Sequence, residues 1–422
     1  MISSESQISV FNKGQTIKQC GQYLLHPNTS TLVPFSFLAQ FGSDPDFVFD
    51  YTPFKDQMQT RDEQGRFTFD WWCPLSMIDG YGRHALSIFQ GITQLGAAPH
   101  LRNDGWGLDR TYLPADIEAA RYVAKYKMPS KIAAMMTLPY HPFDTQSFAK
   151  IIVTQFETDR IPEKHVKNVN QFDHLIVTSS FQPEVWRKSG CKIPISVMTP
   201  GVDTDIFTYK ERKKDGKFKV LMLGALTGRK NPLGAIRIFQ QASEGNSDWR
   251  LCIKTRNADG IKGVEQLASY DKRIEVIKGD IHPSYVVRYY HNFDVLLWPS
   301  KGEGCGLPPL EALSTGMEVV CSDNSGMMDF IDENHAYPIK TERMEPANIP
   351  GVGFSKDYEL NYGRVGQWWC PSESHGVSQL KKCFDNWYKG NGKGEKAAKY
   401  VRENHTLKHQ AISVLKVIMK YE

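Results

Sequence analysis

The sequence predicts an α/β protein built as two doubly wound, Rossmann-like domains that face a shared cleft. Three observations carry this. The chain has 422 residues, more than one ordinary hydrophobic core organises, so two domains of roughly 150–200 residues are expected. Short apolar runs alternate with amphipathic helical stretches in two consecutive series, the pattern of parallel sheets covered by crossover helices. A charged, turn-rich segment, PGVDTDIFTYKERKKDGKFK, separates the two series and reads as a linker, its basic run as a solvated face.

Composition narrows the class without deciding it. With 41% hydrophobic and 23% charged residues the chain is an ordinary globular one, which argues against disorder or a fibrous repeat. The formal charge of +4 neither demands nor forbids a nucleic-acid partner. The amino terminus, MISSESQISVFNKGQTIKQC, has no basic start and no apolar run, so no secretory signal is expected. No run of about 18 apolar residues occurs, so no spanning helix is expected either. The eight cysteines form no Cys-x-x-Cys pair, and Cys252 and Cys321 sit inside apolar runs. That usage suits reduced, buried thiols in a cytoplasmic protein.

Residues 1–65 mix Gly, Pro, Asp and aromatics without sustained periodicity and are expected to form an irregular extension. Alternation begins near Phe67. FTFDWWCPL reads as a buried strand, SMIDGYG as a turn, and RHALSIFQGITQLG as a helix with Ala85, Ile88, Phe89, Ile92 and Leu95 on one face. KIAAMMTL, KIIVTQF, HLIVTSS and ISVMT read as further strands. After the linker, KVLMLGA is a strand, NPLGAIRIFQQA a helix, and WRLCIKT, RIEVIKG and DVLLWPS are strands. PPLEALSTG is then a helix and EVVCSD a strand. The carboxyl end carries two amphipathic helices. One aligns Val377, Leu380, Phe384 and Trp387; the other aligns Ala411, Val414 and Ile418.

The strongest chemical signal is DVLLWPSKGEGCGLPPLEALSTG, residues 294–316. A buried strand ends in a loop with Glu303, Gly304, Cys305 and Gly306, and Leu307 leads into a helix that opens on Pro308 and Pro309 and carries Glu311. Glycines let backbone approach an anion, and the helix mouth adds free N–H groups and partial positive charge. Two carboxylates beside such a phosphate site would serve the hydroxyls on either side of a diphosphate: one acid for a hexose, one for a ribose. The bland reading of the same residues is a Gly-rich turn with Glu303 capping it and Glu311 on the surface.

This segment resembles the two-glutamate signature of retaining GT-B glycosyltransferases, specifically glycosyltransferase family 4. It stands here as EGCGLPPLEALSTGMEVV, with seven residues between Glu303 and Glu311 as in that family. SVMTPGVDTDIF looks like the family's interdomain linker, and VLMLGALTGRKNPLGAIRIF like the first strand and helix of its donor domain. The resemblance is strong from 195 to 332 and looser over the rest of 67–390.

The resemblance implies a GT-B fold with an acceptor-side domain over 66–205 and a nucleotide-sugar domain over 206–390. A carboxyl-terminal helix within 391–422 would cross back to the first domain. Arg229 and Lys230 match the basic pair that neutralises the donor diphosphate, where charge develops as the glycosidic bond breaks. Glu311 is similar to the ribose ligand, Glu303 to the residue that touches the donor sugar, and Lys254 to a residue near the nucleotide. The implied activity is retaining, metal-independent transfer from a nucleoside-diphosphate sugar to an acceptor hydroxyl, without a cofactor. Domain closure would assemble the site.

In the front half, DGYGRHA places Gly80 and Gly82 between a strand and a helix. Alone, this pattern followed by Asp104 also fits a dinucleotide fingerprint and hence a nicotinamide enzyme. The resemblance instead makes the two glycines a flexible loop over the donor phosphate. KIIVTQF delivers Glu157 to the cleft edge, where many relatives carry His; Glu157 either orients the acceptor hydroxyl or holds a loop through Arg160. His141, in LPYHP after another strand, is a second cleft candidate, against a bland reading as a histidine with no chemical duty. Asp203-Thr-Asp205 mimics the metal-binding Asp-x-Asp of other glycosyltransferases, but its place in the linker suits a turn or cap.

The acceptor stays open. From Gly376 to Glu422 ten Lys or Arg face four Asp or Glu. This excess suits an anionic acceptor or a solvated helix face equally in kind. A glycan, a lipid-linked glycan and a hydroxymethylated base in DNA are the acceptors considered, and a non-catalytic nucleotide-sugar binder is the other class.

Overall fold

The computed structural model describes residues 58–422 apart from 104–106, 125–126, 128, 144, 146, 213–215, 257–262 and 351–352, together with the backbone of five earlier strands. Those strands are β1 (Ser9–Asn12), β2 (Gln15–Cys20), β3 (Tyr23–Leu25), β4 (Leu32–Pro34) and β5 (Val48–Asp50). They pair antiparallel in the order β4-β3-β2-β1-β5. The expectation of an irregular extension over 1–65 is therefore corrected. Strands of three to six residues are too short to leave a readable alternation.

The first parallel sheet holds β6 (Asp70–Trp72), β7 (His100–Arg102), β8 (Ile132–Met136), β9 (Ala149–Thr154), β10 (His174–Val177) and β11 (Ile195–Val197). Its order is β11-β10-β9-β8-β6-β7, so strand order reverses between β6 and β8. Crossovers include α1 (Gly80–Gln94), α2 (Ala115–Ala124), α3 (Glu163–Val169) and α4 (Gln182–Lys188).

The second sheet holds β12 (Phe218–Leu223), β13 (Trp249–Thr255), β14 (Ile274–Lys278), β15 (Val295–Trp298), β16 (Glu318–Ser322) and β17 (Tyr337–Ile339). Its order, β14-β13-β12-β15-β16-β17, is the Rossmann order, with the reversal between β12 and β15. Its helices are α5 (Pro232–Ser243), α6 (Val264–Ser269), α7 (Pro283–Asn292) and α8 (Leu307–Ser314). Leu221, Ile253, Leu296 and Val319 are fully buried, as strands covered on both faces require. Within the linker, Arg212 is half-buried and donates to the carbonyls of Phe293 and Thr315, at 3.0 and 3.1 Å. The expectation of a solvated basic run fails there, because helix ends need donors for their free carbonyls. Lys213 and Lys214 lie outside the described residues.

Two further ties join the halves. The first is an arm, β18 (Thr341–Pro346), α9 (Lys356–Tyr362) and β19 (Gln367–Pro371), for which the sequence reading offered no element. Its Ala347, Val365 and Trp368 are buried in one core with Phe156, Val166 and Trp186 of the first domain. Phe354 stacks on Phe156 with centroids 5.6 Å apart. The second tie lies at the carboxyl end, after α10 (Glu373–Lys389). The single crossing helix expected within 391–422 is two: α11 (Gly394–Asn404) and α12 (Leu407–Ile418). Only α12 crosses, burying Ala411, Val414 and Ile418 against the first core, while α11 stays on α8. A capping box at Thr406 and His409 restarts the helix between them.

The α1–α12 contact has a testable signature at Gly91. A Cβ there would sit 2.7 Å from the Leu407 carbonyl and 3.0 Å from the Ala411 Cβ. Glycine to alanine inside a helix ordinarily stabilises by about 1 kcal/mol. Here Gly91→Ala is expected to destabilise, by roughly 1–3 kcal/mol, because backbone must give way. Urea unfolding reads the sign: a lower midpoint is expected, and a higher one would show that α12 packs elsewhere.

Candidate active site

In open α/β sheets ligands sit beyond the carboxyl ends of the strands where the order reverses. In the second sheet that point is flanked by the β12–α5 and β15–α8 connections. The first carries Arg229 and Lys230 in a single turn, Gly228–Lys230, and Asn231 then caps α5. The second carries Glu303 and the glycines. Gly306, with φ +85°, supplies the left-handed turn into α8, whose first positions hold proline. Because Pro308 and Pro309 have no N–H, any anion at this helix mouth is served by amides at or before Leu307.

Glu303 is 5% exposed and fully engaged. Lys230 Nζ donates to both carboxylate oxygens at 2.6 Å. Arg229 donates to Oε2 at 3.0 Å, and the Trp298 indole N–H to Oε1 at 3.1 Å. Burial alone would raise the Glu303 pKa, but Lys230 and then Arg229 outweigh it and hold it at about 2. The carboxylate is therefore an ion at any working pH. Burial also draws the Lys230 pKa down, since losing water outweighs its bond to Glu303. Arg229 additionally faces Glu157, at 3.4 Å. Of the two roles held open for Glu157, a tie to Arg160 is not formed: Arg160 pairs with Glu163 at 2.7 Å.

Glu311 is 3% exposed and lies apart from Arg229 and Lys230. Its Oε2 accepts from the Tyr290 hydroxyl at 2.7 Å, and its Oε1 is paired with Arg83 of α1. Arg83 and Tyr290 were missed in the sequence. The only hint was Arg83's place directly after Gly82 at the helix start.

The glutamate loop also touches the first domain. The Gly304 carbonyl accepts from Thr178 Oγ1, Ser179 Oγ and Gln182 Nε2 at 2.8–3.0 Å. A side chain at Gly304 would meet Gln155 at 2.6 Å, so glycine permits this docking. Cys305 is buried, and burial pushes its thiol pKa far up, which leaves it no nucleophilic role. Leu307 lines the cleft beside Glu311.

Other expected residues fall differently. Gly80 and Gly82 are not in a flexible loop; they form the first turn of α1, where Asp79 caps the Gly82 N–H at 2.7 Å. The cap and tight packing of Gly82 on Ser76 fix this turn. Lys254 is buried, with Nζ 2.5 Å from the Gly279 carbonyl, in a cleft shared with Gly224, Arg256 and Arg83. His141 is exposed and lines a cavity with Trp72, Asn103, Tyr140 and Phe143 at the reversal point of the first sheet. Asp203 accepts from the Asp205 and Ile206 amides at 3.0 and 3.2 Å, closing a turn. Asp104 lies outside the described residues.

Residues 203–346 match the family described as Glycosyl transferases group 1. The chain carries a glycosyltransferase domain. The whole fold is GT-B and resembles a glycosyltransferase of Rickettsia africae (15% identity, TM-score 0.58, 84% of this chain and 98% of that one). It also resembles sucrose-phosphate synthase of Thermosynechococcus elongatus (13%, TM-score 0.59, 84% and 99%). A third likeness is to S. aureus TarM crystallised with fondaparinux, alpha-GlcNAc-glycerol and UDP (12%, TM-score 0.52). That match covers 68% of this chain and 55% of TarM, so the chain spans about half the length of that relative. At these identities the likenesses are of fold. No curated protein sequence matches the chain. The glycosyltransferase domain has its Arg229–Lys230–Glu303 cluster inside the matched segment. Among the described residues no helix is long and apolar enough to cross a membrane.

Proposed function

We propose that the chain is a retaining, metal-independent glycosyltransferase of the family 4 type, moving a sugar from a nucleoside-diphosphate sugar to an acceptor hydroxyl. The observation that carries this reading is the buried cluster at the reversal point of the second sheet, where two cations share one ionised carboxylate. A donor exchanges these partners. The sugar hydroxyls take Glu303, and the diphosphate takes Arg229 and Lys230, which supply the positive charge that a divalent metal would otherwise bring.

As the bond from the anomeric carbon to the phosphate oxygen breaks, its electron pair passes to that oxygen. The acceptor oxygen bonds to the same face of the sugar, and its proton passes to the leaving phosphate. Glu311 is the expected ribose ligand, with Lys254 and the cleft around it on the nucleotide side. Glu157, across from Arg229, borders the acceptor path. The aromatic cavity at Trp72, Tyr140 and His141 suits the apolar face of a glycan ring. The seven described cysteines, all free and buried, favour a cytoplasmic setting.

Incubation with UDP-, GDP- and ADP-sugars and a panel of glycan acceptors, with chelator present, tests each part. Release of one diphosphate with an unchanged anomeric configuration by NMR is expected. Inversion would remove the retaining assignment, chelator sensitivity the metal independence, and donor binding without turnover the enzymatic reading itself.

A further inference from the structure

We propose that Arg83 is a third diphosphate-binding cation, contributed by the first domain and held in the empty site by Glu311. The inference rests on the functional reading above and extends it to a residue outside the matched segment. Three cations, Arg83, Arg229 and Lys230, face three carboxylates, Glu157, Glu303 and Glu311, and every cation has a carboxylate partner. A diphosphate enters such a site only by taking cations from carboxylates.

For Glu311 the exchange is forced by its geometry. Both of its oxygens are occupied, one by Tyr290 and one by Arg83, and the residue is buried. The Glu311 side chain is only 4% exposed, so a ribose diol reaches it only when one of these two covering partners moves aside. Tyr290 is fully buried within its own domain, whereas the Arg83 side chain is 26% exposed and lines the cleft. Arg83 is therefore the group that leaves. Freed inside a cleft only partly open to water, its guanidinium pairs with the anion that has entered there. Its cleft also contains Gly224 and Ala225, the start of the connection that carries Arg229 and Lys230. The donor phosphates are expected along that connection, and a planar guanidinium suits them. The ion pair thus stands in for the donor: carboxylate for phosphate, guanidinium for ribose.

The test compares nucleoside diphosphates with their nucleosides, by calorimetry, on the wild type, Arg83→Ala and Arg83→Lys. UDP, GDP and ADP are the probes, each against uridine, guanosine or adenosine. Arg83→Ala is expected to weaken the diphosphate about tenfold or more. The matching nucleoside should bind as well as before or better, because its competitor for Glu311 is gone. Arg83→Lys should recover part of the diphosphate affinity. Equal losses for diphosphate and nucleoside would mark Arg83 as a packing residue, and no change in either would make it a bystander; both results overturn the proposal. If the wild type binds none of the six probes, the functional reading fails first, and this one with it.

Discussion

Replacing Arg229 and Lys230 together by methionine is expected to lower turnover by about 10³-fold or more, since removing one donor to developing charge costs about 10²–10³ and paired groups are not additive. The loss should fall mainly on kcat, because charge on the leaving diphosphate grows as the bond breaks. The same change leaves Glu303 buried without a cation. Breaking a buried pair from one side costs roughly 3–5 kcal/mol, so the double variant is also expected to be less stable. The two effects separate in the triple variant that adds Glu303→Gln. Removing the stranded charge should return most of the urea midpoint while initial rates stay low. Recovery of turnover along with stability would mean that the cations only support the fold.

Acidification from pH 7 to pH 4 is expected to cost several kcal/mol of stability through two histidines, on the order of 3 kcal/mol each. His84 and His165 are both buried, and burial lowers each pKa to about 4 from 6.5. The folded value lies below the unfolded one, so between pH 6.5 and 4 the unfolded chain binds more protons. Stability is therefore full above pH 6.5, falls as the pH drops toward 4, and loses nothing more from these groups below it.

Both histidines lie at the ties between the halves. His84 Nε2 lies 2.8 Å from the Gln410 amide nitrogen of α12, which can donate to it only while that ring nitrogen carries no proton. A protonated His84 would turn a donor toward a donor. His165 lies among the rings of Tyr140, Phe156, Tyr358 and Tyr362, where a cation's water has no replacement. Urea midpoints at pH 7 and 4.5 check the slope, and His165→Phe should flatten it by about half. An unchanged slope in that variant would show that His165 contributes nothing to the acid sensitivity.

Much of the architecture was legible because buried parallel strands announce themselves. KVLMLGA, WRLCIKT and DVLLWPS are apolar runs with no competing interpretation, and Phe89 and Ile92 mark α1 by spacing alone. Short elements were not: β1 to β5 and the arm of β18 and β19 hold a few residues each, and such lengths carry no period. In the glutamate loop the motif fixed residue types at chain positions, so Glu303 was found together with its cations. Gly80 and Gly82 show the converse. A Gly-x-Gly pattern fits a loop and a helix start alike, and only the Asp79 cap and the contact with Ser76 distinguish them.

The order of residues in the chain by itself determined two βα series, the glycine turn ahead of α8 and the spacing of Glu303 and Glu311, because these are local properties. Tertiary structure alone decided that Arg83 reaches Glu311 across more than two hundred residues, that Tyr290 takes the other oxygen, and that α12 closes on Gly91. Ion pairs and helix crossings of this kind depend on which surfaces the sheets bring face to face. That is set by the packing of both cores at once and leaves no mark in any short stretch of sequence.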